Sequence, residues 1–224
     1  TLLPTAQDHK RLKEKDKGPN TGGMGAYSPA PLLTEDYLDQ IIKEIIEPTI
    51  NELNKRNIDY RGVIYFGLMI TKSGPKVIEY NCRFGDPECQ TIMPLMDQNF
   101  VFLLEKCSMG NLTGDEKINT SDKVSGCVIA TSKGYPHEYK TGFQINIGEI
   151  DSNDCQIFDS GTSFSENGKL LTDGGRVLSI VCQDKDFDTV FEKAYKNLKE
   201  IHFEGIYFRN DIGHQVGKNF SREH

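Results

Sequence analysis

The chain has 224 residues, of which 37% are hydrophobic and 26% charged, and its formal net charge is −7. This composition is ordinary for a globular protein with one large or two small domains and a substantial core. The negative balance argues against nucleic-acid binding, which needs an extended basic face, and no apolar run reaches the roughly 18 residues of a membrane span.

The amino-terminal segment concentrates positive charge and glycine. Residues 8–17 carry five Lys or Arg side chains against three acidic ones, and glycines follow at positions 18, 22, 23 and 25. Glycine permits positive φ and close backbone approach, so successive N–H groups are predicted to converge on an anion. The spacing is not that of a Walker loop, and an exposed surface loop explains the same composition.

A long helix and a hairpin are predicted next. Apolar residues recur at three- and four-residue intervals after Thr34, which predicts a helix over 34–55 with a kink at Pro48. Residues 63–70 read as an apolar strand, 71–75 as a turn and 77–83 as the returning strand. These elements position the polar groups described next.

Three polar side chains alternate along the second strand of that hairpin. Side chains two apart share a face, so Glu79, Asn81 and Arg83 are predicted to lie on one surface. Neighbours on that face are about 6.6 Å apart, so Glu79 must lean toward Asn81 for both to reach one Mg²⁺ or Mn²⁺ ion. Two oxygen ligands suffice where substrate phosphates complete the shell, with Arg83 facing phosphate oxygens. A Glu79–Arg83 ion pair on a half-exposed strand is the alternative.

The later part of the chain reads as strands and two helices. Helices are predicted over 100–109 and 187–201, and strands over 127–132, 144–148, 170–172 and 176–182. Cysteines stand at 82, 89, 107, 127, 155 and 182 without Cys-x-x-Cys spacing, so we expect reduced, mostly buried thiols in a cytoplasmic protein.

Several segments together resemble the phosphoribosylamine-glycine ligase family, also called glycinamide ribonucleotide synthetases. They lie at residues 7–27, 65–69, 79–88, 134–136, 174–178 and 203–214, and so extend over nearly the whole chain. The resemblance implies an α+β fold: an ATP-grasp catalytic subdomain, mainly antiparallel sheet with helices, followed by a smaller β-rich carboxy-terminal domain. We place the domains at 1–109 and 110–224.

The resemblance also implies an activity and a metal site. The family joins glycine to 5-phosphoribosylamine, using ATP, through a glycyl-phosphate intermediate, and releases glycinamide ribonucleotide, ADP and phosphate in de novo purine biosynthesis. Its Glu-x-Asn pair carries the Mg²⁺ or Mn²⁺ that bridges the ATP phosphates, which assigns Glu79 and Asn81 as ligands. Many ATP-grasp enzymes carry a further metal-binding acid on the preceding strand, but residues 63–70 contain none.

The remaining site residues are likewise implied by the resemblance. Arg83 and Lys17 are expected to be catalytic. The expected substrate-binding residues are Asn20, Thr21, Gly22, Gly23, Asp86, Glu88 and Arg209, with Asp86 and Glu88 orienting an amine and Arg209 holding the ribose phosphate. Two structural alternatives stay open: Asp86 and Glu88 can cap a helix beginning near Pro87, and Arg209 can pair with Asp211.

The resemblance begins partway through the family's ATP-grasp region. It therefore predicts a carboxy-terminal half that needs the amino-terminal part of the same polypeptide, lacks the adenine-binding residues and is inactive alone. We expect a monomer that binds these small molecules and neither nucleic acid nor a membrane. An ATP-grasp carboxylase or ligase with a different acceptor is the alternative function.

Overall fold

The computed structural model describes residues 1–96, 99–114, 116 and 118–217. Its strands, in chain order, are β1 Gln7–Asp8, β2 Arg11–Lys13, β3 Lys17–Asn20, β4 Gly25–Ser28, β5 Tyr65–Thr71, β6 Gly74–Asn81, β7 Val124–Ser132, β8 Asn146–Ile147, β9 Cys155–Asp159, β10 Thr162–Phe164, β11 Leu170–Thr172, β12 Arg176–Asp184, β13 Ile201–His202 and β14 Ile206–Tyr207. Its helices are α1 Glu35–Ile41, α2 Glu47–Lys55, α3 Glu88–Ile92, α4 Phe100–Met109 and α5 Phe187–Leu198. No helix in the described ranges is long and apolar enough to cross a membrane.

The chain forms two compact units. The first unit comprises residues 1–3, 30–85 and the described part of 96–119, and the second comprises 4–29, 86–95 and the described residues from 120 onward. This division differs from the sequence boundary placed between 109 and 110. The reason is strand pairing, because β4 lies against β7 and carries the glycine-rich segment into the second unit.

The first unit contains the predicted long helix and the predicted hairpin. Thr34 caps α1 by accepting a hydrogen bond from the Tyr37 N–H, and a π-helical turn at Ile42–Ile46 joins α1 to α2. Pro48 lies in the first turn of α2, where a missing N–H costs little, so the irregularity comes just before the proline. Strands β5 and β6 pair antiparallel, which confirms the hairpin.

The second unit is built on a six-stranded antiparallel sheet. Its order is β1-β4-β7-β12-β9, and β14 also pairs with β7. Helix α5 packs against β7 and β12, burying an apolar face that includes Val190, Phe191 and Ala194. Because this sheet and the hairpin are antiparallel and combined with helices, the α+β class is confirmed.

Three two-stranded sheets among the described residues complete the second unit. The pairs are β2 with β3, β10 with β11, and β8 with β13. The predictions at 100–109, 170–172 and 176–182 agree with α4, β11 and β12, whereas the predicted helix 187–201 ends earlier, at Leu198. Strands β1–β4, β9, β10, β13 and β14 were not predicted, and Ile201, predicted as helical, lies on β13.

One cysteine prediction is wrong. Cys155 on β9 stands directly opposite Cys182 on β12, and the two form a disulfide rather than reduced thiols. Their spacing of 27 residues is no motif, so only the strand register reveals the pair. The other cysteines, at 82, 89, 107 and 127, are free, and only Cys127 among them is buried, so the free thiols are not mostly buried as predicted.

Candidate functional site

The hairpin of the first unit presents the predicted metal ligands. On β6, Glu79 lies opposite Gly67 and Asn81 lies opposite Tyr65. Gly67 and Leu68 are consecutive on β5, but their partners Glu79 and Val77 are two apart, so the hairpin has a β-bulge just before Glu79. Bulges re-aim neighbouring side chains and are common beside active sites.

Gly67 makes room for the Glu79 side chain. A Cβ atom at Gly67 would lie only 2.7 Å from Glu79 Cγ and 3.5 Å from its Oε1. Any larger residue would therefore displace the carboxylate from its place across β5. Gly67 lies within one of the segments that resemble the family, residues 65–69, but its place across from Glu79 follows only from the strand pairing.

The donor set of β6 suits a hard divalent cation. Glu79 supplies a carboxylate and Asn81 a carboxamide oxygen, the ligand types that Mg²⁺ and Mn²⁺ prefer. Within the described ranges no cluster of three His, Cys, Asp or Glu side chains is placed to hold a metal. Arg83, two residues beyond Asn81, is exposed, and its Nη1 donates to the carbonyl of Phe84 over 2.6 Å.

The glycine-rich segment of the second unit is folded on itself rather than open to an anion. The N–H of Thr21 donates to the Lys10 carbonyl, that of Gly22 to the Tyr135 hydroxyl, and that of Gly23 to the Thr21 hydroxyl, over 2.7 to 2.9 Å. The predicted convergence of successive N–H groups is therefore wrong for this arrangement, because nearby oxygens already accept from them. Substrate binding by these residues stays a prediction and would exchange such bonds for bonds to the ligand.

Arg176 joins this segment to the start of α3. Its Nη1 donates to the carbonyls of Gly22 and Asp86, both over 2.9 Å, and its Nη2 lies 3.0 Å from Asp86 Oδ2. The other carboxylate oxygen of Asp86 accepts from the Gln90 side chain over 3.0 Å. Sequence reasoning gave Arg176 no role, because its partners are distant in sequence and mostly backbone carbonyls.

Two acidic side chains, Asp8 and Glu88, are buried in the second unit, and Asp8 lies beside Gly23. A Cβ atom at Gly23 would collide with the Pro87 ring and lie 2.8 Å from Asp8 Oδ1. Glu88, the first residue of α3, is 1% exposed. Burial and the nearby Glu88 carboxylate raise the pKa of Asp8 to about 7, although Lys10 Nζ lies 2.9 Å from its Oδ2. Asp8 is a buried carboxylate that the sequence did not single out.

Lys17 and Asn20 lie on β3 and are exposed. Lys17 lines a cavity of about 540 Å³ whose walls include Lys133, Tyr135 and Tyr207. Lys13, His137 and Glu14 also line this cavity, so its polar side chains include three lysines and one carboxylate. The predicted catalytic role of Lys17 stays a prediction.

Arg209 is buried at the centre of an ion-pair network. Its side chain is 0% exposed, and its Nε and Nη2 donate to the two carboxylate oxygens of Asp211 over 2.7 and 2.9 Å. Its Nη1 donates to Asp16 Oδ1 over 2.9 Å and to the Arg11 carbonyl over 3.0 Å. The structural alternative, an Arg209–Asp211 pair, is thus present, and ribose-phosphate binding by Arg209 would require these bonds to open.

The fold, with its antiparallel sheet and a hairpin that carries the Glu79 carboxylate and the Asn81 carboxamide, is that of an ATP-grasp protein. The sequence model of the phosphoribosylglycinamide synthetase ATP-grasp (A) domain matches residues 1–89, and the model of the C domain of the same synthetase matches 125–215. A biotin carboxylase structure from Campylobacter jejuni has a TM-score of 0.62 over 88% of this chain and 43% of its own, at 17% identity, which shows the fold alone.

The chain belongs to the phosphoribosylglycinamide synthetase family. It is 47% identical to the phosphoribosylamine-glycine ligase of Synechocystis over 217 residues, which is 96% of this chain and 51% of that protein. It is 41% identical to the human trifunctional purine biosynthetic protein adenosine-3, over 94% of this chain and 21% of that protein. The crystal structure of the Thermotoga maritima ligase has a TM-score of 0.80 at 33% identity, over 93% of this chain and 51% of its own. The chain thus spans about half the length of the single-function relatives that it matches.

Proposed function

We propose that this chain is the carboxy-terminal part of an ATP-dependent ligase that joins glycine to 5-phosphoribosylamine in purine biosynthesis. The glycine carboxylate attacks the γ-phosphorus of ATP, which forms glycyl phosphate and releases ADP. The amine of phosphoribosylamine then attacks the acyl carbon, phosphate leaves, and the amine loses a proton to give glycinamide ribonucleotide. The observation that carries the proposal is Glu79 lying across Gly67 in the domain that matches the synthetase ATP-grasp model.

The first unit supplies the residues that assist phosphoryl transfer. Glu79 and Asn81 hold Mg²⁺ or Mn²⁺, which neutralises charge on the ATP phosphates when bound. Arg83 is exposed two residues beyond the end of that strand, where its planar guanidinium can bind phosphoryl oxygens in a bidentate manner. Transfer of this kind depends mainly on positioning and on neutralising developing charge, so these three residues need no covalent step of their own.

The second unit supplies substrate contacts. Lys17, Asn20 and the segment from Thr21 to Gly23 face glycine and phosphoribosylamine, and Arg176 holds Gly22 beside Asp86. Asp86 and Glu88 orient the substrate amine or the glycine ammonium by opposite charge. The amino-terminal part of the polypeptide supplies the adenine site, and the complete enzyme is a cytoplasmic monomer.

The decisive experiment measures ADP release that depends on both glycine and phosphoribosylamine. The 224-residue chain is compared with a chain extended to the full length of its relatives, with Mg²⁺ or Mn²⁺ as the metal. The proposal predicts activity only in the longer chain and only with both substrates. ADP release driven by bicarbonate instead, or no release from either chain, would overturn the substrate assignment.

A further inference from the structure

The tip of the β2–β3 hairpin has an unfavourable backbone conformation. Lys15 and Asp16 have φ values of 55° and 51°, in the left-handed region that residues with a Cβ rarely occupy. Consecutive residues with positive φ occur at the tips of β-hairpins, where Gly, Asn and Asp are preferred, so Lys15 is the unusual residue and its conformation is favoured by contacts from its surroundings. The neighbouring segment 209–215 provides those surroundings.

Each residue of the tip is bonded to that segment. The Lys15 N–H donates to Asp211 Oδ2 over 2.7 Å, and Asn210 Nδ2 donates to Glu14 Oε1 over 2.9 Å. Asp16 accepts from Arg209 through its Oδ1, and its Oδ2 lies 3.4 Å from His214 Nε2. The hairpin is thus held by contacts between residues almost 200 positions apart.

Arg209 is the member of this network that contacts both the tip and the base of the hairpin. It binds the tip at Asp16 and the base of the hairpin at the Arg11 carbonyl, while Asp211 fixes the guanidinium from the other side. Burial raises the pKa of Asp211, but the hydrogen bonds from Arg209 and the Lys15 N–H outweigh it, so the pKa lies below its ordinary value. Lysine could not replace this arrangement, because it lacks the planar fork that binds three partners at once.

The hairpin held in this way carries residues of the proposed site. Lys17 follows the turn directly, and Asn20 pairs with Arg11, whose carbonyl accepts from Arg209. A change at Arg209 would therefore alter the backbone that places Lys17 and Asn20, without any contact between Arg209 and a ligand.

We infer that Arg209 is a positioning residue that holds the β2–β3 hairpin, and with it Lys17 and Asn20, in the conformation that the ligase reaction uses. This inference rests on the proposed function for its catalytic consequence, but the hairpin's restraint can be measured separately. It replaces a direct contact between Arg209 and the ribose phosphate, since the side chain is fully buried and bonded on all three nitrogens.

The test uses two substitutions in the full-length protein, Arg209→Lys and Asp16→Asn. Positioning by Arg209 predicts that both lower kcat/KM, each at least about tenfold, since each removes a charged hydrogen bond from the same network. Their effects should be less than additive in the double variant. Direct phosphate binding predicts a different pattern. Arg209→Lys would then raise only the KM for phosphoribosylamine. Asp16→Asn would leave that KM unchanged, or lower it by freeing the guanidinium. That pattern would overturn the inference.

A second readout does not depend on activity. Trypsin should cut the hairpin at Lys13, Lys15 or Lys17 at least about tenfold faster in both variants, because the tip opens when its charged bonds are lost. Arg56→Lys, on the exposed surface of the first unit, is the matched control and should not change this rate. Unchanged cleavage in both variants would overturn the inference, whereas faster cleavage in a protein without ligase activity would support the restraint and reject the proposed function.

Discussion

Glu79 combines two properties at the residue scale: it faces a glycine across the hairpin, and it belongs to a pair of hard oxygen donors. Glu79→Gln keeps the shape but removes the charge, so the hold on a divalent cation weakens. We expect kcat/KM of the full-length ligase to fall about 100-fold or more, with unchanged unfolding. Initial rates of ADP release over a range of Mg²⁺ concentrations measure this.

The control for that substitution is Glu105→Gln, which removes an exposed carboxylate from α4. It should keep the parent rate. A Glu79→Gln enzyme with parent activity at every Mg²⁺ concentration would remove Glu79 from the metal site.

Asp8 and His9 make opposite contributions to the pH dependence of stability. The pKa of Asp8 is raised to about 7 by burial and Glu88, so the folded state keeps a proton that the unfolded chain loses, and stability falls as pH rises from about 4 to 7. Burial and then Arg209 lower the pKa of His9 to about 4. The unfolded chain therefore binds the extra proton between about 4 and 6.5, and stability rises with pH there.

Asp8→Asn removes one of these opposing contributions. The free energy of unfolding should then rise with pH between about 4.5 and 6.5 more steeply than in the parent, because the contribution of His9 is no longer opposed by that of Asp8. Urea unfolding at several pH values, followed by circular dichroism, measures the slope. The exposed Asp122→Asn should keep the parent slope, and an Asp8→Asn slope equal to the parent's would mean that Asp8 is ionised in the folded protein throughout.

At the scale of elements, the β5–β6 hairpin couples a backbone feature to the metal site. Gly67→Ala places a methyl group 2.7 Å from Glu79 Cγ, so the carboxylate must move, while alanine costs a strand no more than glycine does. We expect a higher Mg²⁺ requirement and a kcat reduced about tenfold or more, with stability within about 1 kcal/mol of the parent. Metal titration of the full-length enzyme together with urea unfolding separates the two quantities. A loss of stability without a change in metal requirement would contradict the coupling.

Local patterns predicted some elements well and failed where pairing partners are distant. Helix α4 agrees with its prediction because an apolar run ends at Gly110, which adopts the left-handed conformation that closes helices. Strand β4, Gly-Ala-Tyr-Ser, was missed because four residues with a single large side chain show no alternation and all four are buried. Its strand character comes from β7, about 100 residues away.

The residues of the candidate site also differ in whether local sequence patterns could predict them. The alternation of Glu79 and Asn81 is local, so the sequence predicted their shared strand. The same alternation placed Arg83 on that strand, which is wrong because β6 ends at Asn81. The contacts of Arg176 with Gly22 and Asp86, and that of Arg209 with Asp16, join residues 90 or more positions apart, and no spacing rule reveals them.

At the scale of the whole molecule, the first unit leaves large apolar side chains in solvent. Exposed fractions reach 75% for Val101, 58% for Phe102 and 62% for Ile78. Val101 and Phe102 are adjacent on α4, and exposed large apolar side chains that are close together are typical of interaction sites or aggregation hazards. The single-function relatives are about twice as long as this chain, so the proposed amino-terminal part is the occupant that we expect for this surface.

This expectation can be measured through a dye that becomes fluorescent on apolar surface, such as anilinonaphthalene sulfonate. The 224-residue chain should bind the dye strongly, and Val101→Lys with Phe102→Lys should reduce the signal because two of the most exposed apolar groups are replaced by charge. The chain extended to the length of its relatives should show a low signal without any substitution, since its own amino-terminal part would bury the apolar surface that binds the dye. Equal dye binding by the short and the extended chains would mean that the amino-terminal part covers another surface, and the exposed face of α4 would then need a different partner.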